Sequence, residues 1–367
     1  MDPAENGAAQ PSKMPHHEHL ESEAIQTLSA VNGCGRVTTT GFSSIVRKTL
    51  GAANSERQGR IGDSEYGGSL EQKKREGYRM GAAEGRLYRG DRAILATMHG
   101  KEKVIAPIVE RFLGLRMEVT TGVDTDTFGT FSRDIERIGS QLDAARAKIE
   151  AAFERTPDLH IALASEGSFG PHPYIPFCPL EREIVVLVDR RASLELVGHH
   201  ATPDTNFAHV VVTDAVDGLD FAKRVGFPDH GVMVMGCRDG QPDQNLALIK
   251  DAATWHDLTS ALQQVIATAG AAFVETDMRA HRNPRRMRII KRAAIDLARR
   301  ARSPCPGCGR PGYAVTERRP GLPCSWCGGP TLLTKAHVLA CVGCGWQVER
   351  DVEAETADPA YCGDCNP

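Results

Sequence analysis

Apolar positions are sparse and aperiodic up to residue 86 and become regular from Leu87 onward. Ala93 to Met98 is an apolar run of strand length. Lys101 to Leu115 places Val104, Ile105, Ile108, Val109 and Phe112 on one helical face. Met117 to Thr121 predicts a second strand, Phe131 to Phe153 a long amphipathic helix, and His160 to Ser165 a third strand that ends in the turn-like Glu166-Gly167-Ser168-Phe169-Gly170-Pro171. Glu183 to Val188 and Leu194 to His199 predict a hairpin around Asp189-Arg190-Arg191. Further strands are predicted at Val210 to Thr213, Gly231 to Met235 and Ala272 to Glu275, and further helices at Leu219 to Val225 and Trp255 to Ala269.

Strands joined by helices, with one hairpin among them, define an α/β class: a mixed twisted sheet with flanking helices. A basic helix from about Pro284 to Arg302 follows, capped by Asn283. Its apolar stripe, Met287, Ile290, Ala294 and Leu297, can dock on the α/β part. The domain plan is an unstructured extension over 1–86, a mixed α/β domain over 87–278, the basic connecting helix over 279–302 and a small two-zinc ribbon-like module over 303–367.

The extension is rich in Gly, Ser, Glu and Lys, with Phe42, Tyr66 and Tyr78 as its aromatics, and cannot offset its ordering entropy by burial. A start at Met80 would account for it, and His16, His17 and His19 read as part of a solvated tail. The 44 basic and 47 acidic residues leave a net charge of -3, ordinary for a soluble chain. The N-terminus carries no secretion signal and no run is long enough to span a membrane, so a reducing cytoplasm and no membrane partner are expected.

The chemistry is most legible in the tail. Eight of the 11 cysteines form four Cys-x-x-Cys pairs: Cys305/Cys308, Cys324/Cys327, Cys341/Cys344 and Cys362/Cys365. Two intervening residues let both thiolates of a pair reach one ion, and eight thiolates fill two closed, structural Zn²⁺ sites. Gly309, Gly328 and Gly345 follow three of the pairs and Asn366 the fourth, where a left-handed backbone is expected. If Gly312 to Arg319 pairs with Trp346 to Val352, the first knuckle meets the fourth and the second meets the third; two sequential ribbons are the alternative. His337 reads as an ordinary strand side chain, and Cys34, Cys178 and Cys237 as unpaired thiols.

From Arg279 to Arg302 nine arginines and one lysine face the single acid Asp296. Arg285, Arg286 and Arg288 sit in the first turns of a helix, where cations oppose the dipole, so an anionic partner such as nucleic acid and a plain solvated basic face both remain open. In the α/β part, the first strand runs into Thr97-Met98-His99-Gly100-Lys101-Glu102-Lys103, where a helix start, a hydroxyl and two lysines form a candidate phosphate cradle. Glu166, at the end of a buried strand, is a candidate Mg²⁺ ligand or base.

The stretch from Val274 to Pro284, leading into the cysteine-rich tail, resembles a bacterial family of unknown function over about Leu87 to Pro367. More distantly, Ala96-Thr97, the acidic residues Asp134 and Glu136, the strand-end Glu166 and the pair His281-Arg282 resemble the inosine/xanthosine triphosphate pyrophosphatases and their Maf-like relatives. His99 replaces that family's loop asparagine and Glu102 its lysine, with Lys101 and Lys103 on either side. The resemblance implies Mg²⁺-dependent attack of water on a nucleotide and often a homodimer. Glu166 with Glu136 or Asp134 would hold the metal, and Thr97, His99, Lys101 and Lys103 would hold the phosphates. His281 and Arg282 would stabilise developing charge.

Overall fold

The computed structural model describes residues 87–119, 139–173 and 175–366. The predicted N-terminal extension lies outside them, as do Asp134 and Glu136. The first sheet contains β1 (Arg92–Ala96), β2 (Arg116–Val119), β3 (Ile161–Pro171), β4 (Pro179–Asp189) and β5 (Leu194–Thr202) in the order β2-β1-β3-β4-β5. β1 runs parallel to β2 and β3, and β3, β4 and β5 form an antiparallel meander.

The period-2 pattern assigns the two faces. Leu95, Leu163, Val185 and Leu187 pack with α1 (Glu102–Leu113) and with α5 (Pro284–Ala301), while Ile94, Ala96, Ala162, Ala164 and Val186 pack with α2 (Gln141–Arg155) on the opposite face. α5 is the basic helix, and its apolar stripe docks as expected. A Cβ at Gly198 of β5 would lie 2.4 Å from the Ala293 carbonyl oxygen and 2.3 Å from the Leu297 amide nitrogen, so this helix rests its backbone directly on the sheet.

Among the predicted boundaries that move, two concern candidate site residues. α2 does not begin at Phe131. Gly139 has φ 73°, and Ser140 caps a helix that starts at Gln141, its side chain and that of Asp143 exchanging hydrogen bonds with each other's amides. Glu136 lies outside the described residues. Glu166 is not in a turn. β3 continues to Pro171 because β4 pairs with it along its whole length, from Ile161 opposite Asp189 to Pro171 opposite Pro179. Gly167, read as a turn signal, instead admits close neighbours.

The second sheet is antiparallel, in the order β6-β9-β7-β8, with β6 (His209–Val212), β7 (Val232–Arg238), β8 (Gln241–Ile249) and β9 (Ala272–Thr276). Phe221, Ala222, Leu258, Leu262 and Val265, from α3 (Ala215–Val225) and α4 (Trp255–Ala269), cover one face over Val212, Val234 and Val274. β8 has no counterpart among the predicted strands. It is an edge strand with Pro242 and few apolar positions, reached through Asp239 and Gly240, both at positive φ as a tight hairpin requires.

The C-terminal module is a three-stranded antiparallel sheet, β10 (Ala314–Pro320), β11 (Thr334–Ala340) and β12 (Gln347–Asp351), with β11 in the middle. It is docked to the body by Arg310, whose Nη2 donates to the carbonyls of Ala192 and Ser193 at 2.9 Å each, and by the Gly312 amide, which donates to the Arg300 carbonyl at 3.0 Å.

Candidate functional site

The central position of β11 decides which cysteines meet. β10 and β12 do not pair with each other, as the nested arrangement required; each pairs with β11. A hairpin brings the chain back to where it began, so the third knuckle, after β11, returns to the first, before β10. β12 then carries the fourth knuckle to the second. The tetrads are Cys305, Cys308, Cys341, Cys344 and Cys324, Cys327, Cys362, Cys365, interleaved along the chain rather than nested or sequential.

Within each tetrad the sulfur atoms lie within 4.8 Å of one another. The Cys305–Cys344 and Cys308–Cys341 separations are 3.7 Å, and those of Cys327–Cys362 and Cys324–Cys365 are 3.6 and 3.9 Å. Four thiolates at about 2.3 Å from a tetrahedral zinc ion are separated by about 3.8 Å, whereas a disulfide needs about 2.05 Å. The donor set thus fits a metal and not a crosslink. Gly309, Gly328 and Gly345 have φ of 73°, 72° and 73° and close each knuckle by an amide hydrogen bond to the first cysteine's carbonyl. Asn366 makes the same bond to Cys362 but is not among the described residues with positive φ. The amides of Cys327 and Trp326 push the Cys324 thiol down to about 7, whereas the neighbouring Cys327 sulfur pushes Cys365 up to about 12. His337 lies in β11 opposite Arg350, outside both tetrads.

The other candidate site is at the C-terminal ends of β1 and β3. The chain leaves β1 across one face through α1 and returns to β3 across the other through α2, so these two strand ends form a topological switch point, where open α/β sheets tend to place ligand sites. Pairing between the two strands stops at Ala96 opposite Ala164, and charged side chains begin there.

Lys101, buried at the start of α1, donates to the Ser165 carbonyl at 3.2 Å. Burial pushes its ammonium down to about 8, with the Arg286 charge adding to the effect and Glu166 and Glu183 opposing it. Lys148 comes from the buried face of α2 and forms an ion pair with Glu166. From α5, Arg286 is completely buried: Nε donates to Glu183 Oε1 at 2.7 Å, Nη1 donates to the Met278 carbonyl, and the guanidinium sits 5.1 Å from the Phe169 ring centre. Two residues before Glu183 on the same face of β4, Glu181 is pushed up to about 7, first by burial and then by the Glu183 carboxylate. The Thr205 hydroxyl offsets part of that shift from outside hydrogen-bond geometry.

Two buried charge groups therefore lie on opposite faces of the sheet, Lys148–Glu166 on the α2 side and Arg286–Glu183 with Glu181 on the α5 side, and Lys101 at the strand ends feels the charges of both pairs. Burial raises Glu181 and lowers Lys101, so both groups are shifted toward their neutral forms. Gly167 makes the packing feasible, since a Cβ there would lie 2.3 Å from Glu183 Oε1 and 2.7 Å from Arg286 Nη2.

Around the switch point, His99 (φ 64°) and Gly100 (φ 75°) turn the chain so that the His99 ring stacks on His281 at 4.8 Å between centres. Burial, then the His99 and Arg279 charges, push His281 below the usual imidazole range. Thr97 is buried, its hydroxyl donating to the Met98 carbonyl, and Lys103 is exposed beside Gly100.

The structure thus brings Thr97, His99, Lys101, Glu166 and His281 to one end of the sheet. It does not bring Arg282, whose Nη2 donates to the Ala252 carbonyl at 2.6 Å, inside the second unit. Arg286 is also removed from the expected basic surface, because Glu183 holds it in the core. Sequence reasoning missed Lys148, Glu181 and Glu183, although their spacing carried a signal: Lys148 recurs with Ala144, Ala145, Ile149 and Ala152, and Glu181 and Glu183 alternate in phase with Val185 and Leu187. Among the described residues no helix is long and apolar enough to cross a membrane.

Residues 148–367 match the family model of a domain of unknown function, DUF6671. No curated protein matches, so the pyrophosphatase resemblance rests on its short motifs alone.

Proposed function

The chain belongs to this family of unknown function, and we propose that its α/β body is a hydrolase of a phosphorylated small molecule, with nucleoside triphosphates the first class to test. The observation that carries the reading is Lys101, buried at the C-terminal ends of β1 and β3 between the Lys148–Glu166 pair on the α2 side of the sheet and the Arg286–Glu183 pair, with Glu181, on the α5 side. Burying six ionisable groups costs stability, and such clusters persist where they act on a ligand.

In this reading Lys101, with Thr97 and Lys103 at the start of α1, holds the phosphate oxygens. His99 and His281 flank the switch point. Water adds to phosphorus and the bond to the leaving phosphate breaks, with developing charge met by Lys101 and by Arg286 behind it. Mg²⁺ would supply charge neutralisation on the phosphates; Glu166, now paired with Lys148, would be its ligand in this chain, with Glu136 or Asp134 as the second. Arg282 serves the fold and not the ligand. Zinc occupies both cysteine tetrads and stabilises the module without entering the reaction.

The experiment is release of phosphate and pyrophosphate from a panel of ordinary and deaminated nucleoside triphosphates, with and without Mg²⁺, by metal-loaded protein and by Glu166→Gln and Lys101→Met. Turnover that falls at least tenfold in both variants supports the assignment. Full activity in Glu166→Gln removes the Mg²⁺ role, and no turnover of any nucleotide by folded protein removes the hydrolase reading.

A further inference from the structure

A second concave surface lies on the other side of α5. It is a groove of about 720 Å³ bounded by β5, the C-terminal half of α5 and β10 of the cysteine-rich module. It exists only because the module is docked, and it shares no lining residue with the β1/β3 switch point. Its walls carry Arg292, Arg299, Arg300 and Arg318, and the one carboxylate lining it is Asp296.

That carboxylate is already engaged. Asp296 Oδ2 accepts from Arg300 Nε at 2.7 Å and from the His199 amide at 3.0 Å. Among the described residues no carboxylate pairs with Arg292 or Arg299. Instead Arg292 stands 3.4 Å from the His200 ring nitrogen, and Arg300 stands 3.4 Å from that of His199. Arg300 is compensated by Asp296, but Arg292 gains no charge compensation from the His200 imidazole, and burial together with Arg292 pushes His200 below the usual imidazole range. The acidic residues of the cysteine-rich tail do not line the groove.

We propose that this groove binds a stretch of single-stranded nucleic acid. Arg292 and Arg299 are separated by two helical turns, about 10 Å along the axis, and Arg318 faces them from another element. A single phosphate cannot reach across such a span, whereas a chain of phosphates can. Between the cationic walls lie Ile295, Val315 and Leu339, which offer apolar surface to unpaired bases, and arginine planes can stack on those bases as well as bind phosphate. A duplex turns its base faces inward and would leave this surface uncovered. Two of the three arginines first suspected from the sequence are committed elsewhere: Arg286 is buried on Glu183, and Arg285 is paired with Asp204 at 3.4 Å.

The test is fluorescence anisotropy of labelled ten-nucleotide single-stranded RNA and DNA, and of a matched duplex, with metal-loaded full-length protein across a salt series. The variants are Arg292→Gln/Arg299→Gln and, as a control on the remote helix α3, Lys223→Gln/Arg224→Gln. Binding of single strands ahead of the duplex is expected. The groove variant should weaken it more than tenfold and reduce the slope of log affinity against log salt by about 0.7 for each phosphate no longer neutralised, with the control unchanged. Retention of metal and an unchanged melting temperature separate this result from misfolding. The proposal is overturned by absence of binding at low salt, by equal losses in groove and control variants, or by competition from inorganic phosphate or poly-glutamate as effective as that from the oligonucleotide.

Discussion

Arg286→Met tests whether the buried charges on the α5 side of the sheet are as tightly interdependent as their geometry implies. Arg286 and Glu183 both have side chains with no exposure, and their contact is 2.7 Å. Methionine fills most of the same volume, so the main effect is to strand Glu183 in the core beside Glu181. Removing one partner of a buried pair costs about 3–5 kcal/mol. For a body of this size that corresponds to a drop of roughly 6–20 °C in melting temperature, at about 2–4 °C for each kcal/mol. Adding Glu183→Leu should recover most of the loss, because an apolar pair needs no charge compensation. What remains is the Met278 carbonyl, which loses its donor at a cost of about 1–3 kcal/mol. Urea unfolding of wild type, both single variants and the double variant closes the cycle. A loss under about 1 kcal/mol in Arg286→Met, or a double variant less stable than either single one, would refute this account of the core.

Three further outcomes follow from the geometry. Glu181 has its folded pKa raised from 4.5 to about 7, so the folded state holds the proton more tightly and stability falls as pH rises between those values. Glu181→Gln should flatten that decline and raise stability at pH 8 by up to about 3 kcal/mol, measured by unfolding at several pH values. Cys305→Ser/Cys341→Ser removes cysteines from the first and third knuckles. The interleaved tetrads predict loss of one metal ion per chain by elemental analysis, whereas nested or sequential pairing predicts loss of both. Gly167→Ala would force a methyl group to 2.3 Å from Glu183 Oε1 and should cost about 1–3 kcal/mol from overpacking; unchanged thermal stability would contradict the close approach.

Part of this protein was legible from residue order alone. The cysteine spacing carries its own chemistry, since two thiolates separated by two residues form half a tetrahedral site whatever surrounds them, and the three glycines after the knuckles adopt the left-handed backbone expected of them. The α/β class, the basic helix with its Asn283 cap and the side that helix buries also follow from local periodicity, because burial of one face is a local constraint.

What the tertiary structure decided is partnership, which depends on the meeting of distant parts of the chain. Which knuckles share a metal was set by β11 taking the middle of its sheet. Lys148, Glu181 and Glu183 followed the apolar period, but reading Lys148 and Glu183 as buried required knowing that Glu166 and Arg286, from other elements, supply their counter-charges. Arg286 is the sharpest case: one basic residue among many along the chain, it is distinguished only by Glu183, 103 residues away, which holds it inside the core. A charge is committed to the interior only when another element supplies its counter-charge, and local sequence does not carry that information.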